Sequence, residues 1–204
     1  MFNLVTRAQA VANQALTSSI IISAVIVLIT LVQLYSDKVW DLNTTTISHV
    51  KPTASVKYSF NYGSINRKPK ENSKVQFDLD ADLTPLFNWN TKQVFVYLTA
   101  EYPGKSEGSS NKVTYWDKII TSKEDAKLHL SNQRSKYSVW DVEKSFRGRE
   151  ANLKLEWNIQ PYIGPLIFGE TNSTTSFNFA EIETKKKAEP KEPKEPKEPK
   201  EPKE

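Results

Sequence analysis

The chain has 204 residues, 38% of them hydrophobic and 25% charged, which is enough for one globular domain with additional segments. Its 28 basic and 24 acidic residues give a net charge of +4, but the two signs are interspersed and no basic stripe occurs, which argues against a nucleic-acid-binding surface. Cysteine is absent, so disulfides, thiolate metal sites and a cysteine nucleophile are excluded, and the fold must stand on its core alone.

The first segment, residues 1–15, is a short head with one basic residue, Arg7, and no acid; it is too poor in arginine for a mitochondrial transit peptide. Leu16 to Leu34 then carries no charge and centres on Ile20–Ile29. As a helix it would be about 28 Å long, close to the roughly 30 Å hydrocarbon core of a bilayer. Thr17, Ser18, Ser19, Ser23 and Thr30 are tolerable there because hydroxyls bond back to helix carbonyls. Tyr35 and Trp40 suit an interface. A buried globular helix is the competing reading, but the polar, β-like remainder could not wrap it. A cleaved signal peptide is the other, but Val32–Ser36 offers no small-x-small site. The stretch reads as an uncleaved signal anchor, residues 16–35, with the head in the cytosol. Charge sets this orientation only weakly (Arg7 against Lys38 and Lys51); the long folded part that follows sets it more firmly.

Residues 36–184 are expected to form one lumenal domain. A linker from Asp37, containing His49, leads into an all-β region from Val50 to about Phe179. Val56, Tyr58 and Phe60 alternate with polar residues until Asn61-Tyr62-Gly63 breaks the run. Val75, Phe77 and Leu79 alternate with Gln76, Asp78 and Asp80, the pattern of a half-buried strand. The organising stretch is Asp82–Tyr102. It opens on the turn signal Thr84-Pro85 and runs through Leu86, Phe87 and Trp89 into Val94–Leu98. That last run is apolar on both faces, as in the middle of a sheet. Val113–Ile120, Ala126–Leu130 and the alternating Leu153, Leu155, Trp157 and Ile159 follow, with Ile163–Phe168 and Thr175–Phe179 as weaker strands. Lys136–Val142 reads as a helical turn or an irregular connection. Short strands separated by turn signals predict a mainly β fold: a single N-terminal transmembrane helix followed by one β-sandwich. Residues 185–204, with proline at every third position of a KEP repeat, read as a disordered, extended tail.

Catalytic signatures fail. Neither His49 nor His129 has a serine or aspartate at recognisable spacing, and no G-x-S-x-G or H-E-x-x-H occurs. Pro103-Gly104-Lys105-Ser106 lacks the glycine of a phosphate loop, since Ala100 stands in its place. Asp78, Asp80 and Asp82 mimic a calcium loop, but Leu83 and Trp89 occupy its glycine and glutamate positions. No cofactor and no metal is expected. The tryptophans divide between core and partner contact; the candidate partner surface is Phe87, Trp89, Trp116 and Trp140. Two N-glycosylation sequons occur. Asn172, in a polar TNSTTS turn, is the better acceptor; Asn43 lies too close to the anchor for a membrane-bound transferase to reach.

The blocks DLTPLFNWNTKQVFVYLTAEY (Asp82–Tyr102), VTYWDKII (Val113–Ile120), KYSVWD (Lys136–Asp141), LEWNIQPYIG (Leu155–Gly164) and FGETNST (Phe168–Thr174) resemble the subunit 3 family of the eukaryotic signal peptidase complex, in its yeast-like form. The resemblance covers most of residues 1–180, is weak over Asp37–Asn72 and absent in the tail. It implies a single-pass type II glycoprotein of the endoplasmic reticulum membrane with no nucleophile of its own. Its implied partners are the catalytic serine-protease subunit, the other small membrane subunits, signal-peptide-bearing chains and membrane lipid, with Asn172 glycosylated in the lumen. The alternative is a membrane-anchored lumenal chaperone or translocon-accessory binding protein.

Overall fold

The first element is an α-helix, α1, over Leu4–Ser36. Asn3 caps it, its side chain accepting the Val5 N–H at 3.2 Å. It ends where the Asp37 N–H reaches the Gln33 carbonyl and Lys38 turns left-handed at φ 51. A computed structural model describes residues 3–181 except 105, 107, 142–144 and 146–147; the tail predicted over 185–204 lies outside the described residues. α1 starts well before Leu16, so most of the head is helix. Its alanines and glutamines are good helix formers, whereas the absence of charge marks an apolar span and not the helix that contains it. Thr17, Ser19 and Thr30 bond back to the carbonyls of Asn13, Ala15 and Ile26 at 2.8–2.9 Å, as the sequence required of hydroxyls in such a segment. The helix is long and apolar enough to cross a membrane.

Among the described residues seven strands follow: β1 (Thr45–Lys57), β2 (Lys70–Asp82), β3 (Thr91–Pro103), β4 (Ser110–Ile120), β5 (Lys127–Arg134), β6 (Glu150–Pro161) and β7 (Ile167–Asn178). They form two antiparallel sheets, one of order β1-β2-β5 and one of order β4-β3-β6-β7. The expected sandwich is therefore present, and β3, carrying Val94–Leu98, is a central strand. Val75, Phe77 and Leu79 of β2, Val94, Val96 and Leu98 of β3, and Leu153, Leu155, Trp157 and Ile159 of β6 are all buried between the layers. Tyr115 crosses the core and donates its hydroxyl proton to Ser73 Oγ at 2.9 Å, tying one sheet to the other. Burial pushes that phenol well above its ordinary pKa.

Both sides of the sandwich are stitched. On one, the Ser135 and Tyr137 N–H groups reach the Val75 and Tyr115 carbonyls, and Val139 pairs with Ser73, so the KYSVWD stretch is an irregular connection. On the other, the Thr175 hydroxyl bonds the Ile47 carbonyl at 2.9 Å and the Asn172 N–H bonds that of Leu42 at 3.2 Å.

Three expectations need correcting. The stretch from Asp37 is no linker. It holds a 3-10 turn, Val39–Asp41, and then β1, in which His49 sits at a bulge with φ 50. Leu34, Val39 and Leu42 are buried in the same core as the strands, so helix and domain share one hydrophobic cluster. The strand placed around Val56–Phe60 ends at Lys57, leaving Tyr58 and Phe60 exposed. The two weaker strands expected at Ile163–Phe168 and Thr175–Phe179 are parts of one strand, β7, which begins only at Ile167 and ends at Asn178, so Ile163–Leu166 is loop and the TNSTTS segment is mid-strand and not a turn. Its β-branched threonines suit an edge strand with one wet face, which polarity alone misreads as a loop.

Candidate functional site

The alternation of β3 is the starting point. Val94, Val96 and Leu98 point into the sandwich; Phe95 and Tyr97 point away from it, their rings stacked at 5.3 Å. Strand register then dictates what lies beside them. Ile119 of β4, Phe95, Asn158 of β6 and Phe168 of β7 form one cross-strand row on the outer face of the four-stranded sheet. Ile119 is 53% exposed and Phe168 59%. The next row is Asp117, Tyr97, Glu156 and Glu170. A central strand apolar on both sides normally has both sides covered; here one side faces the opposing sheet and the other presents an apolar row with a polar border.

The polar row is held by fixed charges. Glu156 accepts from Lys112 Nζ at 2.8 Å and from the Thr99 hydroxyl at 2.7 Å. Burial pushes its carboxyl up. The Lys112 and Thr99 hydrogen bonds, the Lys112 charge and the Tyr97 hydrogen bond outweigh that, so its pKa lies below the ordinary glutamate value. The hydrogen bond to Glu156 raises Lys112. Burial and then the Glu156 charge raise Tyr97. Near neutral pH the face thus carries an ionised carboxylate, a protonated amine and a neutral phenol. Asp117 and Glu170 of the same row pair with Lys136 at 3.4 Å and Lys154 at 3.3 Å, so such a face can dock a protein surface by apolar contact with a border of oriented ion pairs.

The four aromatics singled out from sequence do not make one patch. Trp116 is 4% exposed and packs edge-on against Phe77 at 6.1 Å, so it belongs to the core and not to a surface. Phe87 is partly buried against that core. Trp89 is exposed at the end of the sandwich nearest α1, beside Asn90. Trp140 is exposed at the far end, its ring lying against Gly63 and under Lys70 Nζ at 5.6 Å. The 13-residue strand β3 separates the two ends by roughly 40 Å. Sequence reasoning missed Phe95, Ile119 and Phe168 as surface residues. The signal lay in the doubly apolar run VFVYL, which gives no hint of which face stays open.

The two sequon asparagines meet: Asn172 Nδ2 donates to Asn43 Oδ1 at 2.9 Å, and both are exposed. His49 and His129 lie on the other sheet, exposed and paired with Asp78 at 2.8 Å and Asp80 at 3.1 Å. Among the described residues no group of three or more histidines or carboxylates could hold a metal ion.

A family model described as a signal peptidase subunit matches residues 1–182. A protein of Debaryomyces hansenii named signal peptidase complex subunit 3 is 71% identical over 187 residues, covering 92% of this chain and 98% of its own. The Saccharomyces cerevisiae protein of that name is 48% identical over 172 residues, 84% of this chain and 92% of its own. The Homo sapiens protein is 38% identical over 115 residues, 53% of this chain and 63% of its own.

Proposed function

This chain belongs to the family of signal peptidase complex subunit 3, and from that premise we propose that it is a non-catalytic subunit of the signal peptidase complex. It is anchored in the endoplasmic reticulum membrane by α1, with its head in the cytosol and its sandwich in the lumen. There the sandwich docks on the catalytic serine-protease subunit, supports it, and holds it at a set height over the bilayer, where signal peptides are cut. The other small membrane subunits lie alongside, and Asn172 carries an N-linked glycan.

The observation that carries the docking reading is the open outer face of the four-stranded sheet, where the apolar row Ile119, Phe95 and Phe168 borders the Glu156–Lys112 pair. Docking of this kind acts on the reaction through orientation and through mass action on the partner's folded state, with no chemistry of its own.

The test is the variant pair Ile119→Glu and Phe168→Glu in the full chain. Both side chains are exposed, so thermal unfolding in detergent should stay within roughly 0.5 kcal/mol of wild type. Co-purification of the protease subunit in mild detergent should fall, and signal-peptide cleavage in the eluate with it. Retention of the protease at wild-type stoichiometry by the double variant would place the docking surface elsewhere.

A further inference from the structure

The loop Tyr162–Leu166, between β6 and β7, sits beside the helix and not above it. The backbone of Gly164 packs so close to Val27 that a Cβ added there would lie 3.0 Å from Val27 Cγ2. Asn90 Nδ2 donates to the Thr30 hydroxyl at 3.0 Å, and the same amide donates to the Ile163 carbonyl at 2.9 Å. Val27 and Thr30 are interior to the apolar stretch that ends at Leu34. At 1.5 Å per residue they lie about 10 Å and 6 Å inside its end. The span cannot slide along the helix to bring them to the surface, because Gln9, Asn13 and Gln14 bound it on the other side.

Resting on the membrane-spanning reading of α1, we infer that the loop Tyr162–Leu166 is a second membrane element, inserted among the lipid acyl chains of the leaflet on the domain's side. Its chemistry fits that occupant. Pro161–Phe168 contains no charged residue. Tyr162 is 67% and Leu166 51% exposed, an arrangement that water disfavours and lipid accepts. Irregular backbone at this depth requires its polar groups to be satisfied within the protein. The Tyr162 N–H donates to the Asn90 carbonyl at 2.8 Å, the Ile163 N–H to Asn90 Oδ1 at 3.1 Å, and the Ile163 carbonyl accepts from Asn90 Nδ2. One buried asparagine thus satisfies three backbone groups at the start of the loop and latches it to the helix. Trp89, exposed next to Asn90, sits where an interfacial aromatic belongs.

The absence of cysteine makes the test direct. Single variants Tyr162→Cys, Leu166→Cys, Ile22→Cys and Phe60→Cys are labelled with an environment-sensitive fluorophore in the full chain. The labelled chain is reconstituted in phosphatidylcholine vesicles containing lipids spin-labelled near the top of the acyl chain. Ile22 reports the span; Phe60, exposed at the far end of the domain, reports water. The inference expects several-fold stronger quenching at Tyr162 and Leu166 than at Phe60, with slow reaction toward a membrane-impermeant maleimide. Quenching at Ile22 together with Phe60-like behaviour at both loop positions would overturn the inference and leave the spanning reading intact. Loss of quenching at Ile22 as well would overturn both.

Discussion

Glu156 shows how a single carboxylate can be both buried and charged on a sheet surface. Its folded pKa is depressed, so the stability it contributes is fully present above the ordinary glutamate value of 4.5 and is lost as pH falls through the lower folded value. Glu156→Gln should therefore lower the unfolding midpoint at pH 7, and the gap to wild type should close as pH drops below about 4.5. Denaturant melts at pH 7 and pH 3 check this; a gap independent of pH would mean that shape and not charge holds the residue. Thr99→Val, which removes one donor to the same carboxylate, should cost about 1–2 kcal/mol at neutral pH. At Asn172 the expected outcome is a modification: Asn172→Gln should abolish the glycosidase-sensitive mobility shift of the chain, and Asn43→Gln should leave it unchanged. The Asn43–Asn172 hydrogen bond puts both sequons at one point in space. Acceptor choice is made on the unfolded nascent chain, however, where distance from the anchor separates them.

Among the elements, β6 and β7 meet in a contact that tolerates no Cβ. Trp157 is wholly buried, and its cross-strand neighbour is Gly169. A Cβ there would fall 2.1 Å from the indole ring. Gly169→Ala should destabilise by about 1–3 kcal/mol through overpacking, read as a lower denaturation midpoint with an unchanged m-value. The strand pattern of β6 and the centrality of β3 were legible in the sequence, because alternating or doubly apolar runs admit few other readings. The length of β7 was not. Its hydroxyl-rich middle is polar by composition, and its strand conformation is imposed by pairing with Leu153, Lys154 and Glu156 across the ladder. Segment Asp37–Leu42 was misread for the same reason. Val39, Trp40 and Leu42 form a short apolar cluster with no strand or helix periodicity, and only the core that Val39 and Leu42 enter makes them structural.

At the scale of the whole molecule, anchor and domain behave as one body. Leu34 at the helix end and Leu42 beyond it share the core of the sandwich, and Asn90 bonds Thr30 higher up the helix. A domain attached in this way has little freedom to tilt or rise, which is what a subunit that sets a height over the membrane requires. Inserting a flexible Gly-Ser segment of roughly ten residues after Ser36, which would add a linker some 15–20 Å across, in a chain that also carries Asn90→Ala and Leu34→Ala to release the domain from the helix, should leave complex assembly measurable while shifting signal-peptide cleavage toward misplaced sites or lower efficiency. Unchanged cleavage positions and rates would remove the positioning role and leave support of the protease alone. By itself the sequence determined the apolar helix, the all-β character, the central strand and the family, because each is written in local composition, period-two alternation or contiguous motif blocks. Which face of β3 stays open, which tryptophan is core, and where the domain grips the helix were decided only by the tertiary structure. Those depend on register between strands distant in the chain and on one buried asparagine reaching across it, and no local pattern encodes either.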